Sequence, residues 1–219
     1  MKKALTLLMV FMVAVMWSST SFSADKYVSG NIGIVWPNDA EIESTTNNLA
    51  PANSYDVSFD SGITLLGALG CDYGDYRMEG ELGYQSGDIA SLLTTYPQGE
   101  SDTTELTGDL EILSLLMNGY YDIDLGGVDL YATAGVGVAQ VSASDLTYND
   151  GRVGAPEYTE HETTLAYQIG AGFAIPVADD IMLDARYRYF STTEFSFAAS
   201  EYNTTISSHS GLLGLRVNL

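Results

Sequence analysis

Eight apolar segments of period two, joined by connections that alternate strictly between long and short, constrain this chain more than any other feature of it. The segments run near Lys26 to Pro37, Ser58 to Cys71, Tyr76 to Asp88, Leu110 to Tyr121, Leu130 to Val141, Glu162 to Val177, Ile181 to Phe190 and Ser207 to Leu219. Alternating apolar and polar residues place one set on each face of a β-strand, and no helical repeat of useful length competes. The connections Asn38 to Val57, Ile89 to Asp109, Ser142 to His161 and Ser191 to Ile206 are long and polar; DYGD, DIDLGG and VADD between them are short. Long loops at one end and tight turns at the other predict an all-β chain, folded as an eight-stranded antiparallel up-and-down transmembrane β-barrel.

Alternation alone does not say which face points inward, because an eight-stranded soluble barrel has the same period turned inside out. The composition of the less apolar face decides. In AYQIGAGFAI one series is Leu165, Tyr167, Ile169, Ala171, Phe173 and Ile175; the other is Ala166, Gln168, Gly170, Gly172 and Ala174. A face in water would carry Lys, Glu and Thr, and glycine weakens a strand that packs against nothing. Small residues suit the crowded lumen of a barrel just wide enough for its side chains to fill, and Gly135 and Gly137 in YATAGVGVAQ repeat the pattern. Tyr73, Tyr76 and Tyr121 near the turn end, with Trp36, Tyr84, Tyr167, Tyr187 and Tyr189 near the loop end, mark two aromatic girdles around the apolar band.

Residues 1–23 read as a secretory signal peptide: Lys2 and Lys3, an apolar run from Ala4 to Trp17, then Ser21 and Ser23 at the positions that a signal peptidase requires small. That run is shorter than the roughly 20 residues of a membrane-spanning helix. Cleavage leaves residues 24–219 as one barrel domain, with one Lys and five Arg against 29 acids and a formal charge of −23. So acidic a chain repels nucleic acid. The single Cys71 has no internal disulfide partner and reads as a small apolar strand residue.

The segments FDSGITLLGALGCDYGDYRMEGELGY, MNGYYDIDL, AYQIGAGFAIPVADDIMLDARYRYF and the closing LGLRVNL resemble the opacity and surface-antigen type of outer-membrane β-barrel protein, OmpA-like in architecture and often grouped with the "porin family" of outer-membrane proteins. The resemblance spans the mature chain. It implies a protein of the Gram-negative outer membrane with four long extracellular loops, three short periplasmic turns and both N- and C-termini periplasmic. The chain differs from that family in ending on Leu219 where Phe is usual, and no peptidoglycan-binding domain is expected after the barrel.

The stretch DYRMEGELGYQ places Arg77, Glu79, Glu81 and Gln85 on one face. Two carboxylates so close could form a catalytic pair, which needs one of them to hold its proton. IMLDARYRYF answers from the opposite wall, directing Asp184, Arg186 and Arg188 inward. Three bases against three acids on facing strands predict a structural lumen charge network, completed by Arg216, because opposed guanidinium groups keep carboxylates ionised. No catalytic, cofactor-binding or metal residue is assigned, and the chain is expected not to be an enzyme.

The functional expectation is an envelope or surface-interaction protein with a packed interior, acting through the acidic loop sequences EIESTTNN, GESDTTELTGDLE and YTEHETT. One alternative is a small-solute pore of low conductance, though open channels come with about 16 to 18 strands. A second is a lipid-modifying hydrolase using Ser207 and His209 in ISSHSGLL, for which no nearby acid supplies the orienting group. His161 has no metal-site spacing, and no loop has the D-x-D-x-D-G spacing of a calcium loop. The expected partners are outer-membrane lipid and lipopolysaccharide, with basic or cation-bridged ligands at the surface; the expected state is a monomer.

Overall fold

A computed structural model describes residues 24–44, 54–95, 101–148, 160–196 and 202–219. The signal peptide expected over residues 1–23, Arg152 and parts of the acidic loop sequences lie outside the described residues. The described chain forms twelve strands: β1 Asp25–Pro37, β2 Ala40–Ser44, β3 Ser54–Phe59, β4 Gly62–Asp72, β5 Tyr76–Thr95, β6 Ser101–Asp124, β7 Asp129–Tyr148, β8 Glu160–Ala178, β9 Ile181–Thr192, β10 Phe195–Ser196, β11 Tyr202–Thr204 and β12 Ser207–Asn218.

Eight of them close the barrel. Each of β4 to β9 pairs antiparallel with its neighbour in sequence, β9 pairs with β12, and β1 joins β12 to β4. The closing seam runs in register from Tyr27↔Asn218 to Pro37↔Ser208. A closed sheet has no unpaired edge, which is the condition for strands to stand in hydrocarbon. No described helix is long and apolar enough to cross a membrane.

The outer surface meets the other condition. Large apolar residues point away from the lumen on every wall, including Ile32 at 61 % exposure, Val136 at 68 % and Leu165 at 63 %. A continuous apolar surface of this extent needs an apolar solvent. Trp36, Tyr167 and Tyr187 are exposed on the loop side of the band, Tyr73, Tyr76 and Tyr121 on the turn side, and the Tyr76 and Tyr121 rings lie 5.2 Å apart.

The segments expected as loops are partly strand. β5, β6 and β7 run well beyond Asp88, Leu110 and Val141 toward the loop end, and β2, β3, β10 and β11 occupy the first and last long connections. β3 pairs with the upper half of β5, β2 with β3, β11 with β2 and β10 with β11. The barrel therefore continues into a second tier, and four of its walls are interrupted at residues 38–39, 60–61, 193–194 and 205–206. Hydrogen bonds across the step hold the tiers together: Asn38 N–H to Ser207 O and Asp60 N–H to Asp88 O, both 2.9 Å. In SYDVSF, Tyr55, Val57 and Phe59 alternate with polar residues, and Val57 and Phe59 pack against the apolar core, but the run is too short to read as a strand within its polar surroundings.

The turns need left-handed backbone in few places. Gly126 and Gly127 take φ of 79° and 120°, and Asp124 Oδ1 accepts the Gly126 N–H at 2.7 Å. Gly74 at φ 95° is held in the same way by Asp72. These Asp-capped turns are tight enough to fix the register of the strands they join.

Candidate functional site

The lumen divides into two halves. Toward the loop end an apolar cluster of Leu110, Ile112, Val141, Phe190, Phe195 and Ile206 fills it, with Gln85, Thr192 and Ser208 buried beside the cluster. Toward the turn end it holds the buried charges.

Arg186, on β9, is the centre of the lower half. Its Nη1 lies 3.3 Å from Glu81 Oε2 and 4.0 Å from Glu79 Oε1 across the lumen, and its Nε lies 3.8 Å from Asp184 Oδ1. Arg188 Nη1 lies 3.2 Å from Glu81 Oε1, with the guanidinium 5.0 Å over the Phe190 ring. Glu79, Glu81, Arg186 and Arg188 are all buried. Facing strands thus bring the β5 acids and the β9 arginines together.

Arg77 behaves differently. Instead of reaching across, it binds Asp122 on the adjacent β6 through two parallel hydrogen bonds, Nε to Oδ2 at 2.6 Å and Nη2 to Oδ1 at 2.8 Å. Its guanidinium lies 4.3 Å over the Tyr120 ring. Arg216 sits apart, 3.5 Å from Asp129 near the turn end. Asp122 and Asp129 were not among the sequence candidates, because acids flanking DIDLGG look like ordinary turn formers.

Neutral side chains complete the network, and sequence reasoning missed them too. Tyr27 donates to Glu79 Oε2 at 3.0 Å, Tyr120 donates to Glu79 Oε1, and Asn118 Nδ2 donates to Glu81 Oε2 at 3.1 Å. Tyr131 donates to both oxygens of Asp184, at 2.9 and 2.7 Å, and accepts from Arg186 Nε at 3.3 Å. Asn31 Nδ2 donates to Asp184 at 3.2 Å, and Gln168 Nε2 to Asn118 Oδ1 at 2.8 Å.

Four of these contacts share one construction. Tyr131 pairs in register with Gly172, and Gly172 pairs with Arg186 on the following strand. The ring crosses the glycine to reach Arg186 and Asp184, and a Cβ there would fall on the Tyr131 ring and hydroxyl. Tyr27 crosses Gly70 to Glu79, Asn118 crosses Gly135 to Gln168, and Asn31 crosses Gly214 to Asp184. A small residue on the middle strand lets two polar groups two strands apart make a direct hydrogen bond.

On the outer surface, Ser207 and His209 share a face of β12. The His209 Nδ1 is bonded to the Tyr187 hydroxyl at 2.6 Å, and its ring lies 5.2 Å from Tyr189 and 5.9 Å from Tyr187. Ser207 Oγ accepts from Asn38 Nδ2 at 2.8 Å. Among the described residues no group of three or more His, Cys, Asp or Glu is placed to hold a metal ion.

Comparison with known proteins agrees with this architecture. The outer membrane protein PagN of Salmonella typhimurium is 26 % identical over 207 residues, covering 87 % of this chain and 84 % of PagN. A protein of Rickettsia canadensis named as a candidate adhesin is 35 % identical over 81 residues, 36 % of this chain and 35 % of its own length. The crystal structure of Neisserial surface protein A aligns with a TM-score of 0.53 at 17 % identity, covering 89 % of this chain and 97 % of that one. The model of the outer membrane protein beta-barrel domain matches residues 4–210, and the chain belongs to that family of outer-membrane barrels.

Proposed function

We propose that the protein is a closed barrel whose loop end faces the outside of the cell and acts by surface contact, while the lumen network serves stability rather than catalysis or conduction. One observation carries this reading. The charged cluster of Arg186, Arg188, Glu79 and Glu81 fills the lower lumen with fully buried side chains, and an apolar plug with Phe190 at its base stands above it. No group in such a cluster is offered to a solute or a substrate, whereas the described strands of the upper tier continue beyond the apolar band at the loop end. The Rickettsia relative, named as a candidate adhesin, supports the same assignment.

Two experiments test it. Refolded protein in a planar bilayer is expected to pass no steady current, and stable open steps in the current would overturn the closed lumen. A strain carrying Asp102, Glu105, Asp109 and Glu111 changed to their amides is expected to lose several-fold in attachment to a basic peptide surface, with the envelope intact. Unchanged attachment in that strain, alongside leakiness in a full deletion, would assign the protein to envelope structure instead.

The hydrolase alternative is weaker on geometry. His209 is engaged by Tyr187 rather than by a carboxylate, and Ser207 accepts a hydrogen bond from Asn38, whereas an activated serine needs a base that is itself oriented. Lipid A from cells with and without the protein is expected to carry the same acyl chains by mass spectrometry.

A further inference from the structure

On the outer surface near the loop end, the register of β9, β12 and β1 sets two rows of side chains next to each other: Tyr189, His209 and Trp36 in one, Tyr187, Gly211 and Ile34 in the other. Trp36 is 48 % exposed and Tyr187 53 %. Only a glycine separates them, and the six-membered edge of the indole comes within 3.6 Å of where a Cβ on Gly211 would stand. The two aromatic side chains therefore border a shallow hollow floored by backbone. His209 stands at its upper edge, with the ring 5.2 Å from Tyr189 and Nδ1 2.6 Å from the Tyr187 hydroxyl. A phenol is the stronger donor and an imidazole nitrogen the stronger acceptor, so Tyr187 donating to Nδ1 leaves the proton of the neutral ring on Nε2.

We propose that this hollow binds the sugar headgroup of a glycolipid of the outer leaflet: the C–H face of the ring against Trp36, and a hydroxyl or amide oxygen accepting from His209 Nε2. The exposed apolar Ile34 and Leu213 give way here to the polar step at Asn38 and Ser207, as a bilayer changes from acyl chain to headgroup. An uncharged sugar fits better than a phosphate. The described bases are four buried arginines and Lys26 at the turn end, and the exposed Asp39 lies just above the site. Across the barrel, on β5 and β6, the corresponding tyrosine, Tyr84, instead donates to the exposed carboxylate of Glu111 at 2.6 Å. The assignment rests on the loop end facing outward, as proposed above, and not on what the loops bind.

The test uses refolded residues 24–219, in which Trp36 is the single tryptophan, in phosphatidylcholine nanodiscs carrying increasing fractions of digalactosyl diacylglycerol. The nanodisc offers the same lipid in both leaflets, so the outcome does not depend on orientation in the cell. A saturable change in Trp36 emission is expected with the glycolipid and not with phosphatidylglycerol of the same chains. His209→Ala and Tyr187→Phe are each expected to raise the half-saturating fraction about two- to tenfold, as loss of one hydrogen bond does, while Tyr84→Phe leaves it unchanged. Nitrogen NMR of labelled histidine is expected to place the His209 proton on Nε2. A response that is equal for the two lipids, or larger for phosphatidylglycerol, overturns the sugar site. So does an unaltered half-saturating fraction in a His209→Ala variant that still shows the shifted gel mobility of a folded barrel. A proton found on Nδ1 overturns the role given to Tyr187.

Discussion

Replacing Arg186 with alanine is expected to cost about 3 to 5 kcal/mol of barrel stability, the range for removing one partner of a buried ion pair. The guanidinium is ion-paired with Glu79, Glu81 and Asp184, all of which are buried. Without it, three carboxylates share the remaining lower lumen with Arg188, which already serves Glu81. Their mutual repulsion in a poorly solvated interior adds to the lost attraction. The check is the temperature at which the folded band converts to the unfolded one on a detergent gel, together with urea unfolding in lipid. Arg186→Ala combined with Glu81→Gln is expected to recover part of the loss, because the double change removes one of the acids left behind. An unaltered transition in the single variant would mean that the network carries little of the stability.

Gly172→Val is expected to destabilise by about 3 kcal/mol, combining overpacking with a buried acid that loses its donor. The valine side chain would occupy the space through which Tyr131 passes, so the ring must leave. Asp184 then loses both hydrogen bonds from the Tyr131 hydroxyl, and Arg186 loses one acceptor. Tyr131→Phe separates the two contributions, since it removes the hydroxyl and leaves the ring in place. Gly67→Val is the control: nothing lies within 4 Å of its Cβ position, and a change there is expected to alter the unfolding midpoint little.

How much of this was legible in the sequence depended on whether a residue's neighbours along the chain or across it decide its role. The eight walls and their faces were readable, because alternation is a local property and lipid outside a narrow lumen enforces it at every second residue. The facing of Arg186 and Glu81 was readable too, since strand order in an up-and-down barrel follows chain order. Arg77 was read correctly as an inward charge, but its partner was not, for the opposite reason. Its choice of Asp122 over an acid of β9 is made by the register of β5 with β6, which no single strand records. The roles of Tyr27, Asn31, Asn118 and Tyr131 were hidden in the same way, although a signal existed: each is an inward polar residue whose register partner is an inward glycine. The upper tier was not read because its strands are short and lie in polar sequence, so the few residues that anchor it to the apolar core, among them Val57, Phe59, Ile89 and Phe195, make no long alternating run.

The closing seam has a further consequence. β1 begins where β12 ends, and the Leu219 N–H donates to Lys26 O at 2.8 Å. The barrel is in effect a ring with one nick in it, and the nick lies at the turn end among three short hairpins of the same kind. A circularly permuted chain, joined from Leu219 to Asp25 by a short linker and opened instead at DYGD or DIDLGG, keeps every strand pairing and every lumen contact. The permuted barrel is therefore expected to unfold at the same temperature as the parent on a detergent gel, its seam being one of four equivalent turn-end corners.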